Sequence, residues 1–207
     1  MSVFFKFLAL IFLFTTTIYS QNFPSEKQAD GFIAALQKQK VDTICTLKHD
    51  AVGYIGGNYD GDCPKTEKTA YIFWKKDGKT YLTQKNNCKE YPVIEIKDDQ
   101  FWNIYFESKE LVATQKIKVP EVIVKDSTGT HIHKTLSFHY SFKEIALYTN
   151  GKRVLDDKSP DNFFHKKLIH NRKNINYSYN TSTVIYKLRI ALDKIIKNYS
   201  KRFVALK

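Results

Sequence analysis

The sequence predicts an α+β fold: one domain, mainly antiparallel β-sheet, packed by an N-terminal helix and two C-terminal helices. Three observations lead there. Short apolar runs flank Asp77-Gly78 and again Asn150-Gly151, and both dipeptides favour tight hairpin turns. Near the carboxyl end the hydrophobic period changes from two to about 3.6 residues, the signature of an amphipathic helix. A segment with the same helical period, Ala29, Phe32, Ile33 and Leu36, opens the chain after Ser25.

Ser25 with Gln28 reads as a capping box, so a first helix is expected to run to about Lys40. A strand is expected over Thr43 to Lys48. Gly53, Gly56, Gly57 and Gly61 mark a loop. Asn58, Asp60 and Asp62 within it alternate like the start of a calcium loop, but Cys63 and Thr69 stand where such a loop needs Gly and Glu. Lys68 to Lys76 and Lys79 to Lys85 form the first hairpin, and Pro92 to Lys97 another strand. Asp98-Asp99 can cap a short helix bearing Phe101, Trp102, Ile104 and Tyr105. Leu111 to Val119 reads as a strand bent at Pro120, with Val122 to Lys125 continuing it. His131 to Phe142 alternates well enough for one long strand, and Ile145 to Leu155 gives the second hairpin. Ser159-Pro160-Asp161 has the residue order of a helix start, predicting a helix that carries Phe163, Phe164 and Leu168.

The last helix is read from Thr181 to about Phe203, with Asn180 to Thr183 as candidate caps. Side chains ~100° apart place Val184, Ile185, Leu188, Leu192, Ile195, Ile196, Tyr199 and Phe203 in one stripe. Lys187, Lys194, Lys197 and Lys201 fall opposite. Such a stripe contributes little to stability while wet, so the helix is expected to dock on the protein's own sheet.

Residues 1–20 read as a secretory signal peptide. Lys6 is the early charge, Phe7 to Phe14 is unbroken apolar sequence, and small or polar residues lead to a cut after Ser20. A single exported domain is then expected over residues 21–207, with residues 159–207 as its basic helical part. From Phe163 to Lys207 there are eleven Lys or Arg and one acid, Asp193, so nearly all of the net +12 lies there. A charge asymmetry of this kind points to an acidic partner.

An oxidising compartment favours disulfides. Extending the first hairpin brings Glu67 opposite Cys88, with Cys63 just beyond, so Cys63–Cys88 is the easiest bond to close. Cys45–Cys88 is the rival pairing, and the leftover thiol is expected to be buried rather than nucleophilic. His131 and His133 are the metal candidates: two apart on a strand, they point the same way and can share a zinc ion. His139 is too far along that strand to join them, so further ligands must come from elsewhere.

The chain has no Gly-x-Ser-x-Gly elbow and no phosphate-binding glycine loop. The expected function is therefore a non-catalytic exported binding or structural module. Its lysine surface, Lys187, Lys194, Lys197 and Lys201, would meet an anionic envelope or extracellular partner or a membrane surface. Nucleic acid is not expected, because export removes most such partners, and this reading implies no cofactor. The alternative is a metal-assisted hydrolase using zinc on His131 and His133.

Overall fold

The computed structural model describes residues 24–52, 59–60, 63–64, 69–86, 89–135 and 140–204. The expected signal peptide therefore lies outside the described residues, as do Leu136 to His139, Cys88 and the side chain of Cys63. Helix α1 spans Pro24–Lys38. The strands are β1 Thr43–Val52, β2 Tyr59–Asp60, β3 Cys63–Pro64, β4 Ala70–Lys76, β5 Lys79–Lys85 and β6 Ile94–Ile96. Helices α2 Gln100–Glu107 and α3 Lys109–Thr114 follow, then β7 Glu121–Asp126, β8 Gly129–Lys134, β9 Tyr140–Thr149 and β10 Lys152–Asp157. Helices α4 Tyr177–Ser182 and α5 Val184–Tyr199 complete the order.

The main sheet has six strands in the order β10-β9-β1-β4-β5-β6, and all its neighbours run antiparallel. Both predicted hairpins form. Asp77, Gly78, Asn150 and Gly151 all take positive φ, between 51° and 75°, as the right-handed strand twist requires of a two-residue turn. The long central strand β1 joins the two hairpins, pairing with β4 on one side and β9 on the other.

Strand alternation gives the sheet two apolar faces. One carries Cys45, Leu47, Phe73, Leu82, Ile145, Leu147 and Leu155, all buried under α2, α3 and α5. The other carries Ile44, Ala70, Ile72 and Trp74, which meet Ala29, Ile33 and Leu36 of α1. The result is a single α+β domain with helices on both sides. The α5 stripe docks as expected: Val184, Ile185, Leu188, Leu192, Ile195 and Ile196 are buried, together with Ala191. The stripe continues through Tyr199, whose hydroxyl accepts from the Lys97 N–H at 3.2 Å, and Phe203, which packs on Tyr71. Among the candidate caps, Thr183 acts: its side chain accepts from the Tyr186 N–H.

Three local expectations are corrected. Residues 109–114 form α3, and the chain is non-helical from Gln115 to Pro120, where a strand was expected. One turn of helix suffices to bury Val112 while leaving Leu111 exposed. The long strand expected over His131 to Phe142 is split: β8 folds back on β7, and β9 joins the main sheet. The helix expected after Ser159 is a 3-10 turn, Asp161–Phe164. Carbonyls of the turn and of His165 just after it are claimed from outside: Asn174 Nδ2 donates to the Phe163 and His165 carbonyls, and Asn180 Nδ2 donates to the Phe163 carbonyl. A continued α-helix would need such carbonyls for its own bonds. The helix preceding α5 is instead α4, which takes in the Thr181 expected to open the last helix.

Asn180 is fully buried, at 0% exposure. Its side chain accepts from the Lys118 N–H and donates to the Lys118 carbonyl. Arg189 was overlooked by the helical-wheel reading and is only 3% exposed. It donates to the Ser159 carbonyl at 2.8 Å, pairs with Asp161 at 2.5 Å and lies 3.5 Å from the Asp157 carboxylate. Its guanidinium also stacks over the Phe164 ring. These bonds replace the water a buried charge gives up. They fix the 3-10 turn to α5.

Leu192→Ala should lower unfolding free energy by about 2–5 kcal/mol, as expected for a fully buried large apolar side chain. Ile190→Ala, on the outward side of the same helix, should cost less than about 1 kcal/mol. Urea denaturation of the two variants checks the docked orientation of α5.

Candidate functional site

The outward side of α5 carries the cations that the helical period placed there. Lys187, Lys194 and Lys197 are exposed, and Lys201 is exposed in the 3-10 turn that follows the helix. Among the described residues none of the four takes part in an ion pair, whereas Lys75, Lys79, Lys143, Arg153 and Lys158 all do. The polar contact recorded for the four ammonium groups joins Lys194 Nζ to Gln100 Oε1 at 3.5 Å.

This surface is not uniformly polar. Ile190 sits between Lys187 and Lys194 and is 50% exposed. Helix α2 runs beside α5, and its Gln100 and Ile104 form the opposite wall of an open groove of about 450 Å³. Tyr186, Lys187, Ile190 and Lys194 line the α5 side. The spacing 187, 190, 194 is that of one helical face, so an apolar floor and two ammonium groups open in the same direction. The helical wheel located the lysines; α2, which makes the groove, could not be placed beside them from sequence period alone. Chemically, the arrangement can pair an anionic head with the lysines while laying a hydrocarbon chain along Ile104 and Ile190.

His131 and His133 lie on exposed β8, on one face as the alternation required, with ring centroids 6.2 Å apart. His131 Nε2 is 2.9 Å from Thr128 Oγ1 and 3.4 Å from the Asp126 carboxylate. Among the described residues no group of three or more His, Cys, Asp or Glu is arranged to hold a metal ion. The single-chain hydrolase site therefore has no third ligand in the described part of the chain. The Cys63–Cys88 expectation falls outside the described residues. Cys45 is a free thiol, buried in the core, and burial pushes it far above the usual thiol range. It does not have the ready ionisation of a nucleophile.

Two polar clusters escaped the sequence reading. Glu144 lies on the sheet face that α1 leaves open, at 9% exposure. It pairs with Arg153 at 3.0 Å and Lys158 at 3.1 Å. Burial alone would raise its carboxyl, but Lys48, Lys158 and Arg153 outweigh burial and hold it below the usual range. Asp30 and Tyr148 complete the rim of this opening of about 260 Å³. Arg153 also pairs with Asp156, so cations and carboxylates balance and little charge is left over for a ligand. On the other face, His49 lies 3.8 Å from Asp193, which also pairs with Lys143. Burial and Lys143 lower the His49 imidazole, with Asp193 opposing them. Neither cluster was visible in sequence, because strand register and α5 docking bring distant residues together.

No protein-family model, curated protein or solved structure matches the chain. No helix among the described residues is long and apolar enough to cross a membrane.

Glu144→Gln should destabilise the protein at neutral pH by about 1–3 kcal/mol, the usual scale for losing charge-assisted hydrogen bonds. The folded carboxyl titrates below its ordinary value of 4.5. The stabilisation is therefore present above that value and is lost as pH falls through the lower folded one. Urea midpoints measured from pH 7 to pH 3 should fall less steeply for the variant than for the parent protein.

Proposed function

We propose that this protein is an exported, non-catalytic binding module that docks on anionic lipid headgroups through the groove between α2 and α5. The observation that supports this reading is the meeting, on one helix face, of an apolar groove and two ammonium groups that form no ion pair among the described residues. Lys197 and Lys201 extend the positive surface beyond the groove. Each lysine near an anionic bilayer contributes about 1 kcal/mol, falling with salt. Ile190 and Ile104 add apolar contact with the acyl region, a contribution that salt does not screen. The two effects together favour a surface offering both negative charge and hydrocarbon over a purely polar polyanion. Export, expected from residues 1–20, places the module where envelope lipids are available.

Vesicle co-sedimentation tests this reading. The protein should bind phosphatidylglycerol vesicles, bind phosphatidylcholine vesicles at least tenfold more weakly, and dissociate partly as salt rises. Replacing Lys187, Lys194, Lys197 and Lys201 together by Gln should lower the partition coefficient by roughly a hundredfold or more at low salt. Ile190→Ser should weaken binding to the anionic vesicles with the salt dependence unchanged. Equal binding by the quadruple variant, with its fold intact by circular dichroism, defeats the assignment.

A further inference from the structure

The β7–β8 hairpin stands apart from the main sheet as a separate two-stranded unit. The side chains of β8 are exposed from Gly129 to Lys134. The pairing parity of this hairpin is fixed by the bond from the Thr135 N–H to the Pro120 carbonyl. Antiparallel ladders alternate between hydrogen-bonded and non-hydrogen-bonded pairs. His133 and His131, opposite Val122 and Val124, therefore use their backbone groups toward β7. Thr130, Ile132 and Lys134 direct theirs away from it. Among the described residues no strand pairs with this outer edge. On one face the hairpin also exposes a directly paired apolar couple, Ile123 at 51% and Ile132 at 63%.

We infer that β8 pairs antiparallel with β8 of a second copy of this chain, and that the four histidines so gathered bind a zinc ion. A two-fold axis at Ile132 lets the two Ile132 residues exchange backbone hydrogen bonds. Thr130 then pairs with the second copy's Lys134, and Lys134 with its Thr130. Side-chain parity follows without further choice. His131 stands opposite the second copy's His133, and His133 opposite its His131, in non-hydrogen-bonded pairs whose Cα atoms approach to about 4.5 Å. All four imidazoles share one face, which supplies the missing ligands that a tetrahedral zinc site needs. Asp126, 3.4 Å from His131 Nε2, is placed to orient that ring from behind, as carboxylates commonly do for zinc-bound histidines. On the opposite face Ile123 and Ile132 of both copies form an apolar cluster.

The second copy is favoured as occupant because this edge is complementary to itself: one operator satisfies the strand edge, the apolar couple and the ligand count together. Lys125 and Lys134 sit on the same face as the isoleucines, and charge at a sheet edge discourages indiscriminate pairing. A short edge with such guards gives weak association by itself. Metal that binds only the paired form shifts the equilibrium by mass action. The dimer is therefore zinc-dependent. This inference does not rest on the lipid-docking surface of α5, which lies on a different element.

Sedimentation velocity with the purified protein tests it, using zinc chloride alone as the probe. The protein should be monomeric in EDTA and dimeric with zinc, retaining one zinc ion per two chains. His131→Ala and His133→Ala should each lower zinc retention at least tenfold and leave the protein monomeric. Ile132→Lys, at an exposed position that the fold tolerates, should weaken dimerisation at every zinc concentration. One zinc bound per monomer without association would overturn the inference. So would an undiminished zinc-dependent dimer in His131→Ala, or failure of the parent protein to retain zinc.

Discussion

Contact between the apolar side of α5 and one face of the sheet organises the molecule. The helix places Leu188, Leu192 and Ile195 against a floor made by Leu47, Phe73, Ile145 and Leu147. Each such side chain contributes roughly 1.5–3 kcal/mol by leaving water, against a backbone ordering cost of roughly 1–2 kcal/mol per residue. The helix is therefore stable only when docked. Docking settles which way its remaining side chains face. The lysines are turned to solvent because Ile185, Leu188, Leu192, Ile195 and Ile196 are turned inward, and the half-exposed Ile190 becomes the floor of a groove because α2 packs alongside.

Polar groups then fix what apolar packing leaves adjustable. Asn174, Asn180 and Arg189 bond to backbone carbonyls and carboxylates of segments far from them in sequence. These bonds tie the 3-10 turn after β10 and the extended chain after α3 to the C-terminal helices. Desolvated amides and guanidinium groups are costly when unpaired, so they discriminate among near-equivalent packings more sharply than the isoleucines do. Asn176, Asn180 and Asn198 each stand in an Asn-x-Ser/Thr sequence, and the first two are engaged in the fold. The folded chain commits their amides to the Val119 carbonyl and to the Lys118 and Phe163 carbonyls.

Legibility in the sequence varied with the range of the interaction. The Asp77-Gly78 and Asn150-Gly151 hairpins were readable because a positive φ at both turn residues is a local requirement met by few residue types. The α1 and α5 faces were readable because period alone defines them. The failures lie where a distant group overrode a local pattern. Leu111 to Val119 has strand composition, yet burial of Val112 is met by one helical turn. Ser159-Pro160-Asp161 has the order of a helix start, yet Asn174 and Asn180 occupy carbonyls that a helix would need. Arg189 was overlooked because a helical wheel cannot place Asp157 and Asp161 beside it.

The sequence by itself determined the α+β class, both tight hairpins, the docked side of the last helix and the exposure of Lys187, Lys194, Lys197 and Lys201. Each follows from chain-local rules of turn geometry and hydrophobic period. Tertiary structure alone decided that β1 sits between the two hairpins, that α2 converts a lysine face into a groove, and that Glu144 and Arg189 find their counter-charges. Those outcomes depend on strand register and helix docking, which bring together residues that no local spacing relates.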